Sequence, residues 1–186
     1  MAKYHQDLLR VSRRLLTRSS GQRGRLPNAR IRRSISTLYY ALFHFLLDEA
    51  GNRLVGSQKD MRRRRRIFIR TFTHAGIKTA LDKVKGRNID STVEDFFRAQ
   101  GAGAIPVTTP LFAQNLAKLF LDAQRQRHDA DYDLNEQLSE TDAKLLLARV
   151  SRAIADWQSA NSAIDRDFKH ALCLLMVLRG QLRQQS

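Results

Sequence analysis

Apolar residues recur at intervals of three and four along most of this chain, and no stretch alternates convincingly between apolar and polar, so the pattern predicts helices nearly throughout. With only 9 glycines and 3 prolines, few positions interrupt it. A first helix is predicted over residues 3–17, with Leu8, Val11, Leu15 and Leu16 as its apolar face, broken by Ser19-Ser20-Gly21. Pro27 suits the first turn of a second helix, whose stripe of Ile31, Ile35, Leu38, Leu42 and Leu46 runs to about Ala50, where Gly51-Asn52 is the predicted stop. A third helix is expected from about Asp60 to Lys85. The segment Gln100 to Pro110 reads as the clearest loop, and Pro110 opens a fourth helix to about Tyr132. Ser139 and Asp142 form a capping pair for a fifth. It runs through Leu146, Val150, Ile154 and Trp157 and continues, past a break near Asn161, into the last segment. The expectation is an all-α bundle of four to five main helices.

Composition adds a core and removes several classes of protein. At 186 residues, 42% hydrophobic and 27% charged, the chain suits one globular domain with an appended helical segment. Lys3, His5 and Asp7 interrupt the N-terminus, and the apolar stretch Phe168 to Leu178 is too short to span a bilayer, so a cytoplasmic protein without membrane segments is expected. The single cysteine, Cys173, excludes a disulfide framework and a cysteine zinc site within one chain. Lying between Leu172 and Leu174, it reads as a buried thiol.

Charge changes the picture most. Lys and Arg number 33 against 18 Asp and Glu, a formal +15, and the pI is near 11.0. Such an excess attracts polyanions, with RNA or another nucleic acid as the leading partner and an acidic protein or an anionic membrane face as alternatives. Arg62, Arg63, Arg64, Arg65 and Arg66 crowd the start of the predicted third helix, where the helix dipole disfavours cations. With Arg70, Lys78, Lys83 and Lys85 they could follow a phosphate backbone, and Arg33 on the second helix joins them as a candidate nucleic-acid contact. The plainer alternative is a solvated charged face.

Two helices carry candidate chemistry. On the fourth, Phe112, Leu116, Phe120 and Ala123 mark one face by steps of four, four and three, and the same face then reaches Arg127 and Asp131. A core-facing stripe that ends in charge calls for a reason, since unpaired charge is costly to desolvate. Arg127 and Asp131 at i, i+4 can pair, and His128 and Tyr132 form a second i, i+4 pair beside them. On the second helix, Arg33, Thr37, Tyr40 and His44 make a polar and aromatic line, flanked by Tyr39 and Phe43. If the two lines share a groove, Arg127 would hold a phosphate, His128 or His44 would move a proton, and Asp131 would orient Arg127. The bland alternatives are a surface salt bridge, a surface histidine at 128 and a satisfied core histidine at 44. The chain has no G-x-x-x-x-G-K phosphate loop, no H-E-x-x-H and no metal-ligand spacing, so neither cofactor nor metal is expected.

The segment R-R-S-I-S-T-L-Y-Y-A-L-F-H, Arg32 to His44, resembles the second helix of prokaryotic HEPN domains. R-H-D-A-D-Y-D, Arg127 to Asp133, resembles the R-x-x-A-D-Y-D signature of one HEPN branch, and T-H-A-G, Thr73 to Gly76, is similar to a smaller motif found between them. On this likeness residues 1–160 form a HEPN-like helical bundle with an insertion at about 86–109, and residues 161–186 form a C-terminal helical extension. The resemblance implies a homodimer, often paired with a small nucleotidyltransferase acting as antitoxin in a toxin–antitoxin or defence setting. Many such proteins are metal-independent endoribonucleases with an R-x4-6-H motif. This sequence departs from that motif: Arg70 to His74 and Arg166 to His170 are each one residue short, and Arg127 directly precedes His128. A non-catalytic nucleotide- or RNA-binding module, or a structural partner docking an acidic protein, is the alternative. On the likeness, the catalytic candidates are Arg127, His128, Asp131 and Tyr132 with Tyr40 and His44.

Overall fold

A computed structural model describes residues 3–18, 24–89, 91–99 and 108–180. Among these residues it holds eight α-helices and no strand: α1 (Tyr4–Leu16), α2 (Asn28–Leu54), α3 (Arg62–Phe68), α4 (His74–Val84), α5 (Ser91–Ala99), α6 (Leu111–Tyr132), α7 (Glu140–Ser159) and α8 (Ala163–Val177). The protein is all-α, as the periodicity predicts. It divides into two compact units, Met1–Phe45 with Leu119–Ala155, and Leu46–Lys118 with Asp156–Ser186. The predicted break at residues 19–21, and most of the predicted loop at 100–110, lie outside the described residues.

In the first unit, the α2 stripe of Ile31, Ile35, Leu38 and Leu42 is fully buried together with Phe120 and Ala123 of α6 and Val150 of α7. Burying one such large apolar side chain stabilises the fold by roughly 1.5–3 kcal/mol. The α7 N-terminus is capped as expected, Asp142 N donating to Ser139 Oγ at 3.0 Å. α1 departs from its predicted face at one position: Leu16 is buried and Leu8 and Leu15 are half-buried, but Val11 is not. The helix buries His5, Ser12 and Leu16, while Val11 is 45% exposed and Tyr4 56%. The reason lies on α2: Ser12 and Ser34 share a buried hydroxyl hydrogen bond of 2.7 Å, and the His5 ring meets Phe45 edge-on at 5.2 Å. Polar groups with partners can be buried at little cost, so His5 and Ser12 share the inward face with the leucines in place of Val11.

In the second unit, two predicted boundaries move. α2 passes through Gly51 because the absence of a side chain there admits Ile69, whose Cγ2 would lie 3.3 Å from a Cβ at that position. The helix ends before Gly56, whose φ of +111° only glycine adopts easily. The single helix predicted over residues 60–85 is α3, a 3-10 turn (Ile69–Thr71) and α4. Thr73 takes an extended conformation and its Oγ1 accepts the Gly76 N–H at 3.0 Å, starting a new helix.

α8 packs on α4 and α5, with Phe97 edge-on to Phe168 at 5.0 Å. It begins in a capping box: Asp165 N donates to Ser162 Oγ, and Ser162 N donates to Asp165 Oδ2. Lys169, fully buried, donates to the backbone oxygens of Trp157, at 2.6 Å, and Ala160. Its ammonium lies 5.1 Å from the Phe112 ring centroid and 5.4 Å from that of Trp157. Burial lowers the Lys169 pKa, with nearby Arg53 adding to the effect. Burial also pushes the Cys173 thiol up to about 12, so that thiol is inert and structural. No helix of the described residues is long and apolar enough to cross a membrane.

Candidate functional site

The α6 face that buries Phe120 and Ala123 reaches Arg127 one turn later, where the core thins and the side chain is 25% exposed. Arg127 Nε lies 2.7 Å from Asp131 Oδ2, the i, i+4 pairing expected. The buried Nε–H is not aligned on an acceptor, so this contact is Coulombic more than a directed hydrogen bond. Arg127 Nη2 donates to Tyr40 Oη at 3.2 Å, across 87 residues of sequence. The guanidinium carbon also lies 5.6 Å from the Tyr40 ring centroid and 5.5 Å from that of Tyr132. Burial works against the charge on Arg127, but Tyr40, Asp131 and Tyr132 together outweigh it and raise the pKa, so the cation is permanent. The His128 ring sits 5.1 Å from Tyr132, and both side chains are exposed.

The two predicted polar lines therefore meet, though not through every residue named. Arg127, Asp131, Tyr132 and Tyr40 form one cluster, with His128 joined to it through Tyr132. His44, one turn along α2 from Tyr40, meets Tyr4 of α1 edge-on at 4.6 Å. The α2 line is also displaced by one residue from its predicted start. Arg33 is exposed, and Thr37 Oγ1 donates to its backbone oxygen. The polar contacts from α2 to residues 127–136, the end of α6 and the loop after it, come from Arg32, Ser36 and Tyr40, an uninterrupted row of steps of four. Such rows are the ridges by which helices pack on one another.

Two members of that row, Arg32 and Ser36, were missed by sequence reasoning. Ser36 Oγ donates to Asp131 Oδ1 at 2.5 Å, so Asp131 is held from α2 as well as by Arg127. The Arg32 guanidinium donates to five backbone oxygens: Asp129 at 3.2 Å, Ala130 at 3.0 Å, Asp133 at 2.8 Å, Leu134 at 3.4 Å and Glu136 at 2.8 Å. It satisfies carbonyls at the α6 C-terminus, where a cation also suits the helix dipole, and pins the segment that carries Arg127 to Asp133. Spacing by four from Tyr40 was the signal for Ser36. For Arg32 no side-chain pattern exists, because its partners are backbone atoms.

The arginine run stands on α3 in the second unit, and the first turn of that helix holds no acid. Arg65 folds back, donating to the backbone oxygens of Gly56 and Gln58, and fixes the turn after α2. Arg62, Arg63, Arg64, Arg66 and Arg70 are exposed. Among the described residues no group of His, Cys, Asp or Glu side chains is placed to hold a metal ion. No family model, no curated protein and no solved structure matches this chain.

Proposed function

We propose that the chain is a HEPN-type RNA-binding protein whose Arg127 cluster engages the phosphodiester, and that the finer activity is metal-independent endoribonucleolytic cleavage. One observation carries the reading: two of the three segments on which the resemblance rests meet at the hydrogen bond between Arg127 and Tyr40, 87 residues apart. The exposed arginines of α3 and the +15 charge supply the sequence-independent attraction that RNA binding needs. In cleavage, His128 would take the proton of a ribose 2′-hydroxyl as its oxygen attacks phosphorus. Arg127 would stabilise the charge gathering on the phosphorane, and the 5′-oxygen would leave as its bond to phosphorus breaks, taking a proton from solvent water. Asp131, held by Ser36, is then a positioning residue for Arg127.

A second reading, a non-catalytic RNA- or nucleotide-binding module, is favoured by the Asp131 carboxylate 2.7 Å from Arg127 Nε, which already neutralises the cation. Homodimerisation, a small nucleotidyltransferase antitoxin and a toxin–antitoxin or defence setting belong to the proposal through the resemblance. The deciding experiment incubates the purified protein with total RNA and tRNA in excess EDTA, beside Arg127→Ala and His128→Ala. Chelator-resistant cleavage lost in both variants supports the nuclease. RNA that stays intact but bound supports the binding module, and RNA neither cut nor bound removes the proposal.

A further inference from the structure

Aromatic rings recur along the first unit in a series that the phosphodiester chemistry does not use. The edge-on Tyr4–His44 pair is followed, one helical turn or about 6 Å along α2, by Tyr40. Tyr40 holds Arg127, and the Arg127 guanidinium lies over Tyr132, whose ring meets His128. The two ends of the series are open: Tyr4 is 56% exposed and Tyr132 64%. Large exposed rings are ordinary when scattered, but here each has a ring against it, and a cation lies over both Tyr40 and Tyr132. Held in this way, they lose little side-chain freedom when a ligand arrives.

Resting on the RNA reading above, we propose that this series is a stacking platform for single-stranded RNA, with Tyr132 and Tyr4 each taking the face of an unpaired base and Arg127 holding backbone between them. An aromatic ring gains from a nucleic acid only where a base offers its π-face, which an unpaired strand does and a duplex interior does not. On a chain of +15 the complementary surface is a polyanion that also carries flat apolar rings.

The test measures fluorescence anisotropy of a labelled oligouridine and of a blunt RNA duplex of equal length, in EDTA over a range of salt concentrations. The single strand is expected to bind more tightly. Tyr132→Ala and Tyr4→Ala should each weaken it about 5- to 150-fold, the effect of losing one stacked base, and Tyr4→Ala, outside the Arg127 cluster, should leave both duplex binding and the salt slope unchanged. Tyr132→Phe keeps the ring and should bind like the unsubstituted protein. Arg127→Ala should lower the salt slope by about one, a different signature from the tyrosines. Equal binding of strand and duplex, or unaltered strand binding by both alanine variants, overturns the platform while leaving RNA binding in place. A dimer in sedimentation velocity that Tyr132→Ala dissolves, with RNA binding intact, overturns it in favour of a second copy on this face. Binding of neither RNA overturns the platform and the RNA reading together.

Discussion

Arg127 in the first unit and Lys169 in the second are each a cation lying over two aromatic rings, at 5.1–5.6 Å from the centroids. Their surroundings differ in kind. Lys169 is fully buried, and its ammonium donates to backbone oxygens at the C-terminal end of α7. Those carbonyls have no partner within the helix, so the lysine works as an internal helix cap. Arg127 is a quarter exposed, its partners are side chains, and two exposed residues, His128 and Tyr132, adjoin it. A cation on aromatic rings is therefore not itself the mark of a site. What separates the two is whether the partners can be exchanged: helix-end carbonyls in a dry pocket cannot, whereas a carboxylate and phenols at a solvent edge can.

The contrast predicts that the two cations divide stability from binding. Lys169→Met keeps the stem but leaves the Trp157 and Ala160 carbonyls without their donor, and should cost about 2–4 kcal/mol of stability in urea unfolding, with RNA binding by the folded fraction unchanged. The sign of its pH dependence is fixed too. The folded pKa of Lys169 is lowered, so its titration contributes stability that is present above the unfolded lysine range and lost as pH falls through the folded value. The difference in stability between the unsubstituted protein and Lys169→Met should therefore grow as pH rises towards 10.5. A difference that shrinks with pH would mean that the amine is stabilised in its charged form, and that the two cations are less unlike than their burial implies.

Arg32→Ala sharpens the comparison from the other side, because Arg32 is a helix-end cap like Lys169 yet serves the segment that bears Arg127. Losing its five backbone contacts should cost about 1–2 kcal/mol, less than Lys169→Met because these carbonyls can reach water. Hydrogen exchange should quicken at the amides of residues 129–136, and oligouridine should bind more weakly although no RNA-facing group has been removed. Quickened exchange with undiminished binding would show that the cluster does not depend on the position of its helix end.

Local signals were legible and non-local ones were not. Pro110 marked the start of α6, and Ser139 with Asp142 marked that of α7, because each acts within a single turn of chain. The cap at Thr73 is local as well, but an unbroken run of helix-compatible residues hid it, so one predicted helix became two with a 3-10 turn between them. On α1 the leucines could be placed, but the burial of His5 and Ser12 could not, because Phe45 and Ser34 of α2 decide it. At the candidate site, the Arg127–Asp131 pair follows from helical spacing, whereas the α2 row through Tyr40 was read one residue out, as Arg33 and Thr37 in place of Arg32 and Ser36. The Arg32 clamp could not be anticipated, since its acceptors are backbone atoms 97 to 104 residues away that leave no trace in side-chain pattern. Lys169 stayed hidden for a related reason: a charged residue in an apolar run reads as an interruption until the carbonyls facing it are known.

The smallest effect should come from Tyr39, which tests how dry the inner side of the Arg127 cluster is. Its ring is buried against Phe120 at 5.4 Å, beside Tyr40. Burial raises its pKa from 10.0 to about 12, although Arg127 and a hydrogen bond with Gln124 pull the other way. A raised phenol pKa contributes stability that is complete below pH 10 and lost as pH climbs to about 12, because the unfolded chain releases its proton first. Tyr39→Phe should cost no more than about 1 kcal/mol at neutral pH, the worth of one hydrogen bond, and should flatten the fall in stability between pH 10 and 12. If the alkaline fall is instead the same in both proteins, water reaches the phenol. The cluster would then be wet on both faces, with Arg127 held by its partners alone and not by a dry inner wall.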